Sequence, residues 1–390
     1  MSKRRKRRPS GTNITIQDVV LEEIYTVLKS LGTGKFGSIV LAEHKGLEKQ
    51  IVIKKFTKRH VKQSDFLRDY DYSFFLSPHQ NIIDSYDGAY STSDFYFFIQ
   101  EYAPTGSLRD YVEQHGPPPE DAVKRLIKQV ASALQFMHSE HLVHRNVKAK
   151  NVLLFDRDMN KVKITDFSIT RKEDTIVRHF DVSGYYHAPE LCDCIITEPY
   201  AVDRSVDVWA FGILVYYALR GRFPWDRATI MSKSYWEWEE WLKGKKPQLP
   251  GRWTRFTERM LKFFRKSLNP RAKDRCSIKD INKYLKDRWL KEVSKASSEY
   301  DFVYAFDDGT TGGGGGGGTS DYPISSSSAS SRTLPPRSAT TSELSDSVSN
   351  VHLQPGHPSQ RKRRSIIHNW LASTMNVMAE ISEQVVSAND

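Results

Sequence analysis

Cysteine is scarce: Cys192, Cys194 and Cys276 are the only three in 390 residues. So small and odd a count excludes a disulfide framework. Cys192 and Cys194 have no second ligand pair nearby, which leaves them as ordinary thiols in a reducing, cytoplasmic or nuclear compartment. No stretch of about eighteen uninterrupted apolar residues occurs, so no membrane-spanning helix is expected. The opening residues are basic and lack the apolar core of a secretory leader. From Gly309 to about His357 apolar residues give way to Gly, Ser, Thr and Pro, with unbroken glycine from Gly312 to Gly318. Such a stretch cannot bury enough surface to offset chain entropy and reads as a flexible linker.

Apolar and aromatic residues are dense from about residue 24 to residue 296, enough to fill one sizeable core. The predicted organisation is a basic disordered tail (1–23), a folded domain (24–296), a Gly/Ser-rich disordered linker (297–360), and a basic cluster followed by an amphipathic helix (361–390). The net charge of +11 sits mainly in the tails, in the run Lys3 to Arg8 and the run Arg361 to Arg364. Runs this short suit a nuclear-import signal, an anionic membrane surface or loose phosphate contact, and no specific nucleic acid is predicted. Ile367, Leu371, Met375 or Met378, Ile381 or Ser382, and Val385 recur at helical spacing near Trp370. That stripe, within residues 361–386, fits an anionic membrane surface, a partner's groove or the folded domain itself. Arg332 to Arg337, around Pro335, is a weak proline-rich Src-homology-3 ligand candidate, because Ser338 stands where a second spaced proline belongs.

Four segments carry chemistry. Leu31 to Val40 places glycines at 32, 34 and 37, so two strands and their turn can close over phosphates without side-chain obstruction. Ile51-Val52-Ile53-Lys54 reads as a strand with Val52 and Lys54 on one face, Lys55 being the adjacent alternative. His144-Arg145-Asn146-Val147-Lys148-Ala149-Lys150-Asn151 and Lys163-Ile164-Thr165-Asp166-Phe167-Ser168 follow. In this order and spacing the four resemble the glycine-rich loop, third-strand lysine, catalytic loop H-R-D-x-K-x-x-N and D-F-G segment of the protein kinases. Ala188-Pro189-Glu190 and Asp207-Val208-Trp209-Ala210-Phe211-Gly212 extend the likeness, with Arg275 where a buried arginine pairs with Glu190. Gln100-Glu101-Tyr102-Ala103-Pro104 and Phe223-Pro224-Trp225 resemble most the Src-homology-3-binding-domain Ser/Thr kinases.

The resemblance implies an α+β, two-lobed fold, with a small β-rich lobe to about Glu101 and a helical lobe from about Pro104. It implies ATP and Mg²⁺ as cofactors and a protein as substrate or partner. Gly32, Gly34 and Gly37 would cover the phosphates, and Lys54 would anchor them and pair with Asp69. Leu31, Ile39, Val52, Glu101, Ala103 and Leu153 would surround the nucleotide, with Gln100-Glu101-Tyr102-Ala103 as gatekeeper and hinge offering backbone groups to adenine. Asn151 and Asp166 would hold the metal, Lys148 would steady the γ-phosphate, and Asn146 occupies the position of the catalytic base.

There the pattern breaks. An amide has no useful basicity at neutral pH and carries no charge. Val52 replaces a smaller alanine and is expected to crowd the base. Asp69, one methylene shorter than Glu, is expected to stretch its ion pair or draw its helix inward. Ser73 stands where an apolar side chain would bridge the lobes, so that column is expected to be weakened, and Ser168 takes the place of a glycine. Ser183 to His187 is about two residues short and lacks the threonine that ties the substrate loop to the catalytic loop. The leading expectation is a kinase-like protein with impaired or absent transfer, a pseudokinase with a scaffold or allosteric role. A working Ser/Thr kinase is the alternative, and a basic-tail binding module the second. Thr175 or Ser183, if phosphorylated, would engage Arg145.

Overall fold

A computed structural model describes residues 14–178, 184–192 and 199–292. The basic runs, the glycine-rich linker, Pro335 and the 365–386 stripe lie outside the described residues. No helix among the described residues is long and apolar enough to cross a membrane.

The first lobe contains β1 (Ile16–Asp18), α1 (Leu21–Ile24), β2 (Tyr25–Gly34), β3 (Gly37–His44), β4 (Lys49–Thr57), α2 (Gln63–Leu76), β5 (Ala89–Ser91) and β6 (Phe95–Glu101). The strands form one sheet in the order β1-β5-β6-β4-β3-β2, antiparallel except for the parallel β1–β5 pair. Period-two alternation gives the sheet two apolar faces. Ile51 and Ile53 join Val40, Ala42, Phe97 and Ile99 in a cluster closed by Leu21 and Ile24. On the other face Phe56 and Phe98 meet Phe66 and Tyr70 of α2. Residues 16–18, expected in the disordered tail, are instead an edge strand. Ile14 and Ile16 pack beside the α2 cluster and Leu21 is wholly buried, and burying one such side chain stabilises by roughly 1.5–3 kcal/mol.

The second lobe runs α3 (Leu108–His115), α4 (Glu120–Ser139), β7 (Leu142–Val143), β8 (Val152–Leu154), β9 (Val162–Ile164), β10 (Arg171–Lys172), β11 (Ile176–Arg178), α5 (Pro189–Cys192), β12 (Pro199–Ala201), α6 (Ser205–Arg220), α7 (Lys233–Leu242) and α8 (Glu258–Ser267). Ser107 starts α3 by accepting from the Asp110 amide, while the Asp110 carboxylate accepts from the Ser107 amide, a reciprocal cap. α6 is apolar on nearly every face and is buried from Ser205 to Leu219, so it forms the axis of this lobe. Gly212 lets α8 approach that axis: a Cβ there would lie 2.8 Å from Leu268 and 2.9 Å from Ser267. The turn after α2 joins the lobes. The Ile83 amide donates to Ile164 of β9, and the Ile164 amide donates to Asn81.

Candidate active site

The β2–β3 hairpin and its turn contain the three glycines. Gly37 is required by close approach, since a Cβ would fall 1.9 Å from the Lys55 carbonyl oxygen. Gly32 and Gly34 meet nothing within 4 Å, so internal packing does not demand them. Strand register sets Ile39, Lys54 and Phe98 in one cross-strand row and Leu41, Val52 and Gln100 in the next, all on the sheet face that carries Lys54. Leu31 and Ile39 are exposed, Val52 and Ala103 are buried, and Leu153 of β8 is partly buried.

Lys54 bridges two carboxylates, Asp69 Oδ2 of α2 at 2.7 Å and Asp166 Oδ1 at 3.3 Å. Of the two outcomes expected of the shorter acid, a stretched pair is therefore not the one found, and the helix drawn inward is left standing. Nor is Ser73 merely a gap in an apolar column. It is buried one helical turn after Asp69 and its hydroxyl donates to Asp69 Oδ1 at 3.4 Å. Burial opposes the Lys54 charge, but Asp69 and Asp166 outweigh it and hold the ammonium well above the ordinary lysine range. Burial likewise pushes the Asp166 carboxyl up, yet Lys54, the Ser168 hydroxyl and Lys148 hold it well below the usual carboxylate range. Burial pushes the Lys148 ammonium down against the attraction of Asp166.

Asn146 is buried beside this pair. Its Nδ2 donates to Asp166 Oδ2 at 2.8 Å, and its backbone carbonyl accepts from Asn151 Nδ2 at 2.8 Å. Asn151 Nδ2 also approaches Asp166 Oδ2, at 3.5 Å. The side chain in the base position is thus a donor to the metal-candidate carboxylate. Aspartate in its place would set two carboxylates against each other.

Asp207 holds the loop that carries Asn146. Wholly buried in the first turn of α6, it accepts from the His144 and Arg145 amides, each at 2.8 Å, and lies 2.9 Å from His138 Nε2. His144 Nδ1 accepts from the Asn146 amide at 3.1 Å, and its ring packs on Phe167 at 5.3 Å between centroids. Arg145 and Asp166 both have left-handed backbones, with φ of 64° and 71°, local strain that the surrounding hydrogen bonds maintain.

Several contacts were not foreseen. Glu101, expected at the nucleotide, turns its carboxylate to Lys163 and Lys161 and to the Asp84 amide at 2.8 Å, and its own amide donates to the Asp84 carbonyl. Lys163 is fully buried between Glu101 and Asp84, the latter at 2.9 Å. A lysine alternating with apolar residues in β9 was its only sequence signal. The missing threonine does not leave the substrate loop untied, because the Tyr186 hydroxyl accepts from the Ala149 amide at 3.0 Å. Arg145 donates to the Ile169 carbonyl and the Tyr200 hydroxyl, each at 2.8 Å. Arg275 grips both oxygens of Glu190 at 2.6 Å, as expected.

A model of the protein kinase domain matches residues 25–290. A Caenorhabditis elegans protein named as a candidate serine/threonine-protein kinase is 51% identical over 300 residues, covering 75% of this chain and 74% of that one. Serine/threonine-protein kinase SBK1 of Danio rerio is 38% identical, covering 73% of this chain and 77% of its own length. SBK1 of Mus musculus is also 38% identical, with 70% and 66% covered. Among solved structures, Rad53 1-466 in complex with AMP-PNP superposes with a TM-score of 0.53 at 24% identity, covering 66% of this chain and 64% of that chain. At that identity the likeness carries the fold, a β-sheet lobe and a helical lobe, as expected.

Proposed function

We propose a function from one premise: this chain belongs to the protein kinase domain family, close to the SBK serine/threonine kinases. On that premise it binds ATP with magnesium but transfers phosphate poorly or not at all, and acts on protein partners as a scaffold or allosteric element. The observation that carries this reading is the 2.8 Å bond from Asn146 Nδ2 to Asp166. The group in the base position is spent as a donor and has no basicity to offer an incoming hydroxyl.

Binding is better supported than transfer. Lys54 would anchor the α- and β-phosphates, Gly32, Gly34 and Gly37 would cover them, and Lys148 would steady the γ-phosphate. Leu31, Ile39, Val52, Ala103 and Leu153 would enclose the base, with Glu101 limited to its backbone because its side chain is committed to Lys163. Asp166 and Asn151 suit magnesium in kind: one carboxylate and one amide oxygen are hard donors, and phosphate and water would complete the shell. The metal would neutralise phosphate charge there.

A second reading, a working Ser/Thr kinase, is favoured by the 2.7 Å Lys54–Asp69 pair and by the clamped catalytic loop. Phosphoryl transfer rests mainly on positioning and charge, and a general base supplies roughly 10²- to 10⁴-fold. Phosphate transfer by the purified chain, its Lys54→Met variant and its Asn146→Asp variant decides between the two, with nucleotide binding followed alongside. Nucleotide binding without transfer, and turnover gained in Asn146→Asp, supports the first. Transfer by the unaltered chain that Lys54→Met abolishes establishes the second. A chain that binds no nucleotide in magnesium overturns both.

A further inference from the structure

The surface where the catalytic loop meets the substrate loop is cationic. The Tyr186 hydroxyl accepts from the Ala149 amide at 3.0 Å, so Lys148 and Lys150, on either side of Ala149, both stand beside the substrate loop. Lys150 is exposed, and its ammonium makes no ion pair or hydrogen bond among the described residues. Arg109, at the start of α3, completes the group, because its charge reaches Lys148 and the Tyr186 and Tyr217 hydroxyls. Arg227 lies against the same loop, its Nε 3.3 Å from where a Cβ on Gly184 would stand.

The carboxylates nearby are engaged elsewhere. Asp110 caps α3, accepting from the Ser107 amide and hydroxyl. Asp226 accepts from the Ser232 hydroxyl at 2.6 Å, Glu190 is gripped by Arg275, and Asp166 is turned to Lys54 and Asn146. Glu113 pairs with Arg109 at 2.6 Å, but both side chains are more than half exposed, and an exposed pair of that kind holds its partners weakly. Aromatic surface adjoins the cations. Tyr185, 45% exposed, stacks on Phe223 at 4.3 Å between centroids, and Phe223 stacks in turn on Tyr217 at 4.7 Å, with Tyr186 edge-on at 5.3 Å. A ring held in place by its neighbours loses little freedom when a peptide is laid on it.

We propose that this groove takes acidic peptide segments of a protein partner, their carboxylates meeting Lys150 and Arg109 while the peptide backbone crosses Tyr185. The inference rests on the reading of residues 184–187 as the substrate loop, and it names the chemistry of the partner that the function above leaves open. It holds whether the partner is phosphorylated or only bound, because the charges act on binding. Complementary charge confers specificity more than raw affinity, so the preference between peptides is the quantity to read.

The test is fluorescence anisotropy on the full chain, without nucleotide, using a labelled peptide that carries a central serine between alanines and a run of glutamates at each end. Counterparts with lysine or glutamine in place of glutamate are titrated beside it. The glutamate peptide should bind about tenfold more tightly than the lysine peptide at low salt, and the margin should shrink as salt rises. Lys150→Glu should weaken the glutamate peptide roughly three- to tenfold, and adding Arg109→Glu should turn the preference toward lysine. Lys128→Glu, an equal change of charge at an exposed position on α4, should leave it as it was. The preference should survive in a full-length chain with Lys3 to Arg8 and Arg361 to Arg364 changed to Gln. A benzophenone in place of the central serine should label residues 148–150 or 184–186. The proposal is overturned if the three peptides bind alike, if Lys150→Glu and Lys128→Glu have equal effects, if the preference disappears with the basic runs, or if labelling falls elsewhere. Nucleotide binding is read separately: its absence beside an intact peptide preference counts against the function proposed above and not against this groove.

Discussion

Two wholly buried aspartates anchor the two lobes and are satisfied differently. Asp69 of α2 has one strong partner, the Lys54 ammonium at 2.7 Å, and one long contact, the Ser73 hydroxyl at 3.4 Å. Asp207 of α6 has three partners within 2.9 Å, two of them backbone amides of the catalytic loop. Burial pushes the Asp69 carboxyl up in spite of Lys54. At Asp207 burial acts the same way but is outweighed by His138 and His144, which hold the carboxyl below its ordinary range. Equal burial thus gives opposite shifts: the Asp166 carboxylate adds to the push at Asp69, whereas at Asp207 the surrounding donors and imidazoles prevail. The catalytic loop is pinned by short-range hydrogen bonds on every side, whereas the α2 pair depends on one long, flexible side chain.

The comparison breaks most visibly at Asp207. Asp207→Ala leaves the His144 and Arg145 amides without an acceptor, and unfolding in urea should show a loss of about 3–5 kcal/mol. A loss no larger than that of Ser73→Ala would mean that the donor count does not govern stability here. Lys54→Met should cost less, about 1–3 kcal/mol, because the stranded Asp69 can take up a proton instead of remaining charged. In that variant the folded state holds a proton that the unfolded chain releases near the ordinary Asp value. The deficit should therefore grow as pH rises above the ordinary Asp value of 3.8, and a pH-independent deficit would show that Asp69 stays ionised.

His144 sharpens the comparison on the acid side. Burial holds its imidazole below the ordinary value of 6.5. Its contribution is therefore complete above that value and is lost as pH falls below it, where the unfolded chain binds the proton first. Melting temperature should decline from neutral pH into the acid range, and His144→Phe should flatten part of that slope; an unaltered slope would remove His144 as a source. The smallest effect belongs to Ser73→Ala, less than about 1 kcal/mol for one long hydrogen bond. A larger loss in the same urea titration would give the Ser73 contact a weight its length does not suggest.

Much of the site could be read along the chain. Lys54, Asn146, Lys148, Asn151 and Asp166 lie in short segments whose spacing is their signal, and the contacts join Lys54, Asn146, Asn151 and Asp166 directly. Contacts between distant segments were harder to anticipate. Asp69 was legible as the partner of Lys54, but not its 2.7 Å closeness, which depends on where α2 rests against Phe56 and Phe98. Glu101 was legible as part of the strand end beside the nucleotide, but its partner Lys163 is 62 positions away. The loss of the substrate-loop threonine was plain, whereas its replacement by a Tyr186–Ala149 bond was not, because that bond requires residues 37 positions apart to meet. Residues 16–18 gave too short an apolar signal to be separated from the tail that precedes them.

Which groups are present, and in what order, is determined by the chain alone: a phosphate-anchoring lysine, one metal-candidate carboxylate, and an amide where a base would stand. Local spacing carries that information because strands and turns place neighbouring residues in a fixed way. Which way the amide faces was decided only in three dimensions. The Asp166 carboxylate accepts and cannot donate, so it draws Nδ2 of Asn146 toward itself, and Lys54 keeps that carboxylate charged.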